Sequence, residues 1–274
     1  MSISKIIVLF MIYSFAGWLW EMVYTPFEFK YFENRGFFFG PICPIYGFCI
    51  LFLQSLMKYV PFFTSESMSA VKLFFICMSV STLVEYVTSW TLETFYHARW
   101  WDYSNFKLNV NGRICLAASI FWGLAGITLA YYIFPAVDVF VEVVPSYVFE
   151  IAALILIFIF GADFALTNAS LNSLLEKIEN ANKEFTEKGE SVYQAIAATP
   201  AQMKKRISDL DFEAWEKARS IAESLSSSQK QLMSRITGFS YNFGKDKNNK
   251  EKTNIGNKIK EYLSNIRHSS KEKD

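Results

Sequence analysis

Three carboxylates, Glu21, Glu85 and Asp163, stand inside or at the ends of long apolar runs. There an ionisable side chain costs roughly 2.5–3.5 kcal/mol on membrane-insertion scales, so each needs a partner or a use. Two arginines are placed to answer them. Arg35 stands between Asn34 and Gly36, and Arg113 closes Asn111-Gly112-Arg113. An arginine fork can grip a carboxylate or a phosphate through two bonds. The set could therefore work as a charged site for a polar solute or a lipid headgroup. It could also be a plain structural ion-pair set, or acids that snorkel to the headgroups. The structural reading weighs most on Asp163, while Glu150 fits an ordinary helix N-terminus. Ser81, Glu85, Thr88 and Ser89 recur at helical spacing on one face, which a spanning helix turns toward protein or water rather than lipid.

Two short stretches carry the rest of the chemistry. In "HARWWDYSNFKLNVNGR" (97–113), Trp100, Trp101 and Tyr103 suit an aromatic belt at a membrane interface. The belt does not explain Asp102, Asn109 or Asn111. Beside them Arg113 could take an anionic headgroup, or pair with Asp102 or Glu85. In "NRGFFFGPICPIYG" (34–47), Gly36, Gly40, Pro41, Pro44 and Gly47 interrupt an apolar run just before Tyr46 settles into a helix. Irregular backbone at membrane depth is tolerated only under protein or water. The stretch is expected to be a short re-entrant or hugging segment that carries Arg35 to the acids.

Other chemistries lack their residues. The histidines are His97 and His268, and no nucleophile–base pair is legible. The cysteines (43, 49, 77, 115) stand singly in apolar segments, as buried thiols rather than metal or disulfide partners. No GxxxxGK[ST] is present, so no P-loop binds nucleotide in this chain. No cofactor is implied.

These residues need helices to hold them. Runs at 6–25, 71–95, 114–134 and 147–167 are long enough for a bilayer core that asks for about 20 apolar residues. A shorter fifth, 44–60, follows the glycine–proline stretch. The expected fold is an all-α, polytopic bundle of about five spans, the first a retained signal anchor. Residues 1–169 hold 8 Lys+Arg and 11 Asp+Glu, and 23 of the 27 Phe. Subtraction from 27 and 26 leaves 19 basic and 15 acidic residues for 170–274. Basic residues in the short loops and the lysine-rich tail place the C-terminus in the cytoplasm and the N-terminus outside. Glu21, Glu85 and Asp163 then all lie toward the cytoplasmic leaflet.

The succession "GWLWE" (17–21), "NRGFFFGPICPIYG", "EYVTSW" (85–90), "RWWDYS" (99–104) and "NVNGRICL" (109–116) resembles the putative type-IV ABC-transporter permease family of bacterial polytopic membrane proteins, over roughly residues 8–165. The resemblance implies an integral membrane protein working with a separate ATPase subunit and, with so few spans, as a homodimer. It points to Glu21, Asn34, Arg35, Tyr46, Glu85, Trp101, Asp102, Tyr103, Asn111 and Arg113 as site residues. It makes Gly36, Gly40, Pro41, Pro44, Gly47 and Gly112 the residues that break helices.

Residues 170–240 read as an amphipathic helical hairpin or stalk. One seam runs through Leu171, Leu175, Ile178, Asn182 and Phe185, and a second from Met203 through Ile207, Leu210, Ala214, Ala218 and Ile221 to Leu225. Residues 241–274 read as a charged, largely disordered tail, with one amphipathic patch at Ile255, Ile259 and Leu263. Interleaved acids argue against nucleic acid. The readings that follow are a permease-like transporter component in the cell membrane, a membrane enzyme or lipid-headgroup binder, and a membrane scaffold acting through its tail.

Overall fold

The computed structural model describes residues 2–29, 36–60, 69–194, 200–239 and 254–271. The fold is all-α, with two short strand pairs. In chain order the helices are α1 (Ile3–Phe29), α2 (Pro44–Tyr59), α3 (Ala70–Tyr96), α4 (Leu116–Thr128), α5 (Phe134–Val143), α6 (Ser146–Gln194), α7 (Pro200–Ser224), α8 (Ser227–Arg235) and α9 (Ile255–Lys271). The strands are β1 (Ala98–Arg99), β2 (Asn109–Val110), β3 (Ile114–Cys115) and β4 (Gly238–Phe239). The chain divides into two compact units, residues 1–92 with 100–167, and residues 93–99 with 168–274.

Among the described residues four helical segments are long and apolar enough to cross a membrane: Ile3–Val23, Ala70–Tyr96, Leu116–Val143 and Ser146–Phe185. Their outward residues, such as Leu154 and Phe158 (71% and 76% exposed), suit lipid. The expected fifth span is shorter. Helix α2 has 16 residues, about 24 Å at 1.5 Å per residue, against a core of ~30 Å.

Helices α1 and α2 run antiparallel in close contact because glycines let them. A methyl group at Gly17 would enter the Tyr46 ring, and one at Gly47 would meet the Phe10 ring and carbonyl at 2.7 Å. Small residues drive such approaches where lipid supplies no hydrophobic force between helices. Val8, Leu9 and Tyr13 pack with Val141, Phe149 and Ala153, joining α1, α5 and α6. Leu53, Leu73, Cys77 and Phe134 join α2, α3 and α5. At one end of this unit Lys5 Nζ donates to the Val141 carbonyl at 3.2 Å and Lys58 pairs with Asp138 at 3.1 Å.

The span expected to end at 134 runs on to Val143, because Pro135 is absorbed rather than obeyed. A proline lacks the N–H an α-helix needs and clashes with the carbonyl four residues back. Residues Leu129–Ile133 widen into a π turn, in which the Phe134 N–H reaches back to the Leu129 carbonyl, and α5 continues.

The second unit holds the latter part of α6, then α7, α8 and α9, with β1 pairing antiparallel to β4 (Ala98↔Phe239, Arg99↔Gly238). Its buried face on α6 is Leu171, Leu174, Ile178, Ala181, Asn182 and Phe185, so Leu174 takes the place expected for Leu175. On α7 it is Ala214, Ala218 and Ala222, with Ala222 buried rather than Ile221. The side chains of Met203 and Ile207 lie outside the described residues. The region expected to lack structure contains the 17-residue helix α9, whose Ile255 and Ile259 are fully buried. Apolar residues four apart pay for ordering a charged helix by docking it on α7. Residues 240–253 and 272–274 lie outside the described residues.

Candidate functional site

The 36–43 stretch forms neither helix nor strand, yet Phe38, Ile42 and Cys43 are buried against α1 and α6. Buried backbone without a ladder must find other acceptors. The Phe39 N–H donates to Asp163 Oδ1 (3.0 Å) and toward Thr167 Oγ1 (3.3 Å), the Gly40 N–H to Asp163 Oδ2 (2.8 Å), and the Cys43 N–H to the Ser14 carbonyl (2.9 Å). Gly40 must be glycine here, since a Cβ would stand 2.8 Å from Asp163 Oδ2. Asp163 is therefore answered by backbone amides and a threonine, not by an arginine as expected. Phe37 packs on Trp100 (5.5 Å between ring centres), Gly36 is buried, and Pro41 is exposed. Pro44 opens α2, where its missing N–H costs nothing.

Beyond α2's first turn the site itself assembles. Tyr46 donates its hydroxyl to Glu21 Oε1, bridging α2 and α1, and its ring meets Trp122 of α4 edge-on at 5.5 Å. On α3, Glu85 is buried, 8% exposed, and its Oε1 accepts the Tyr103 hydroxyl at 2.9 Å. Its Oε2 is buried without a hydrogen-bond partner among the described residues. Burial first, then the Glu85 carboxylate and, further off, Glu21 push the Tyr103 phenol well above the usual phenol range, so it stays a donor. Ser89 and Ser81 lie on the same side of α3, Ser89 buried and Ser81 against Cys49 (3.5 Å).

Tyr103 is delivered by a built loop. Asn111 and Gly112 both take left-handed backbone (φ 54° and 68°), and the Arg113 N–H closes on the Val110 carbonyl at 3.0 Å. That is the geometry of an Asn-Gly hairpin turn between β2 and β3. The Tyr103 N–H donates to the Gly112 carbonyl (2.7 Å), and Trp101 Nε1 donates to the Arg113 carbonyl (2.9 Å). Asn109 Oδ1 accepts the Gly112 N–H (3.1 Å). Asp102 accepts from the Ser104 N–H and hydroxyl two residues on, at 2.9 and 2.5 Å.

Arg113 does not pair with Glu85. Its guanidinium lies over the Tyr86 ring, 5.7 Å from the centre, and Asn111 Nδ2 donates to the Tyr86 hydroxyl at 3.2 Å. Among the described residues, Glu21 and Glu85 each accept a tyrosine hydroxyl, and Asp163 holds backbone amides. Arg35 and Asn34 lie outside the described residues. Tyr86 and Trp122 were missed by the sequence reading. The Asn-Gly pair was the one signal that could have found the hairpin, and with it Tyr86.

Among the described residues no three His, Cys, Asp or Glu side chains could share a metal. In the second unit a cavity of about 260 Å³ opens among Tyr96, His97, Asn172, Glu179, Asn182 and Phe239. Nearby, Arg99 pairs with Glu93 at 3.0 Å.

Comparison with known proteins found no match among curated proteins or solved structures. Residues 8–168 match a protein family described as "Putative ABC-transporter type IV". That segment covers more than half of the chain and carries Glu21, Tyr46, Glu85, Tyr103, Arg113 and Asp163, and the chain belongs to that family.

Proposed function

We propose that this membrane protein is the permease-like subunit of a transporter in the cell membrane, with Glu21, Tyr46, Glu85 and Tyr103 lining the polar part of its path near the cytoplasmic face. The observation that carries the reading is Glu85. It is a buried acid on a spanning helix, held by a phenol, with no arginine or lysine among its described contacts. An acid kept only for packing would be cheaper as a paired or backbone-bound group, which is how Asp163 is kept.

Without a P-loop the chain would take its energy from a separate ATPase subunit, and a homodimer would supply the helices a full path needs. The C-terminus is cytoplasmic in this reading and the N-terminus outside. A lipid-headgroup site is the second reading, favoured by the Arg113 guanidinium on Tyr86 beside the Asn111 amide.

Purification of the full-length chain from its own membranes in mild detergent tests the first reading. Vanadate-sensitive ATP hydrolysis should travel with it and fall when Glu85 is replaced by Gln. Anionic phospholipid retained without any ATPase, and lost on Arg113→Ala, would establish the second reading instead.

A further inference from the structure

Glu85 is held in a way that determines its own charge. One oxygen accepts the Tyr103 hydroxyl at 2.9 Å, while the other is cut off from solvent and has no hydrogen-bond partner among the described residues. The side chain is more than nine-tenths buried. Among the described residues, the titratable groups facing it are Glu21 from α1, Cys49 from α2 and Tyr103 from the loop. Around Tyr103 stand Tyr46 of α2 and Cys115 of β3. None is a cation.

An ionised carboxylate in that place would have one donor, a second carboxylate nearby and no positive partner among the described residues. A carboxylic acid would lack only an acceptor for one O–H. Leaving a charge unpaired in an apolar site costs far more than leaving a hydroxyl short of one bond. The Tyr103 bond fits either state, since its hydroxyl can donate to a carbonyl oxygen as well as to a carboxylate.

We infer that Glu85 is a proton-binding site, occupied at neutral pH by a proton on Oε2 and opened to exchange by movement of the Tyr103 hairpin. The hairpin is a non-helical element held against the acid through Tyr103. Much of its bonding is internal (Tyr103 to Gly112, Trp101 to Arg113), and Tyr103–Glu85 and Asn111–Tyr86 tie it to α3. When it lifts, water reaches Oε2 and the O–H bond breaks. The proton leaves as hydronium, and the electron pair stays on a carboxylate shared by water and Tyr103. Rebinding reverses each step. The inference does not depend on the transport reading: a proton site of this kind would serve a transporter, a sensor or a lipid-handling protein equally.

Infrared spectroscopy of the full-length protein in phosphatidylcholine vesicles tests it without any ATPase or substrate. At neutral pH the wild type should show the carbonyl band of a protonated carboxyl, absent from Glu85→Gln and retained in Glu21→Gln. Tyr103→Phe should move that band to higher frequency, because the carbonyl loses its donor. A wild-type spectrum lacking the band, or a band unaltered in both Glu85→Gln and Tyr103→Phe, overturns the proposal.

Discussion

Asp163 and Glu85 are both acids in apolar helices, and they are kept by opposite means. Asp163 spends its two oxygens on the Phe39 and Gly40 N–H groups and on Thr167, so its charge holds a stretch of backbone that no helix holds. Asp163→Ala strands the Gly40 N–H and weakens the hold on Phe39, and each buried unsatisfied donor costs about 1–3 kcal/mol. The expected loss is about 2–4 kcal/mol, read as a lower Tm in detergent. Asp163→Asn, which keeps one acceptor, should lose about half of that. Thr167→Val should cost about 1 kcal/mol or less, since Asp163 still serves Phe39. An unchanged Tm in Asp163→Ala would mean that water or another group already satisfies these amides. The sequence marked both Asp163 and the glycine–proline stretch, but a contact across 123 residues leaves no trace in spacing or composition. Acid and arginine were matched by charge there, whereas the backbone N–H was the competitor that won.

At the scale of elements, the hairpin at 109–115 shows what a short motif can and cannot reveal. Asn-Gly between Val110 and Arg113 is a direct turn signal, yet the aromatic residues favoured a membrane-interface loop. Gly112 at φ 68° tolerates no Cβ without strain. Gly112→Ala should therefore cost about 1 kcal/mol or somewhat more. It should also speed amide exchange at Tyr103, whose N–H is bonded to the Gly112 carbonyl. Exchange at Tyr103 as slow as in the wild type would show that the turn does not hold the loop. Helix α9 illustrates the reverse error, in which charge hid a docked helix. Glu223 on α7 accepts from Arg219 at 2.9 Å and from Tyr262 of α9 at 3.0 Å, and these bonds, Arg219's first, lower its carboxyl below the ordinary glutamate range. A carboxyl depressed in the folded state adds stability that is fully present above its unfolded value. That stability is lost as pH falls through the lower folded one. Amide protection in α9 should accordingly weaken below the ordinary glutamate range, and Glu223→Gln should flatten that dependence. A profile identical in the two proteins would remove Glu223 from the account.

Over the whole molecule, the all-α class and four of the five expected spans were legible because a bilayer imposes length and hydropathy directly. Composition changes near residue 169, and the compact first unit closes at residue 167. In the second unit the seams through Leu171, Ile178, Asn182, Phe185, Ala214 and Ala218 were legible, whereas the docking of α9 was not, because its apolar residues are a few well-spaced isoleucines among charges. Such residues bury little area singly and become a core only when three segments meet. Ile178 on α6 stands 3.1 Å from where a Cβ on Gly256 would fall, and the Ile255 N–H donates to Asn182 at 2.8 Å, so α6 and α9 share one apolar seam. Ile259, fully buried one turn on, is the residue whose loss reads this most cleanly. Ile259→Ala should cost about 2–5 kcal/mol through lost transfer energy and the cavity left behind. In a unit with so small a core, that suffices to free α9 to proteases. The family match covers residues 8–168, so the membrane unit has its own sequence determinants. Ile259→Ala should then leave membrane insertion and expression unchanged while limited proteolysis removes the C-terminal helix. Equal protease resistance in the two proteins would show that α9 is held by its polar contacts, Lys258–Asp211 and Tyr262–Glu223, rather than by its isoleucines.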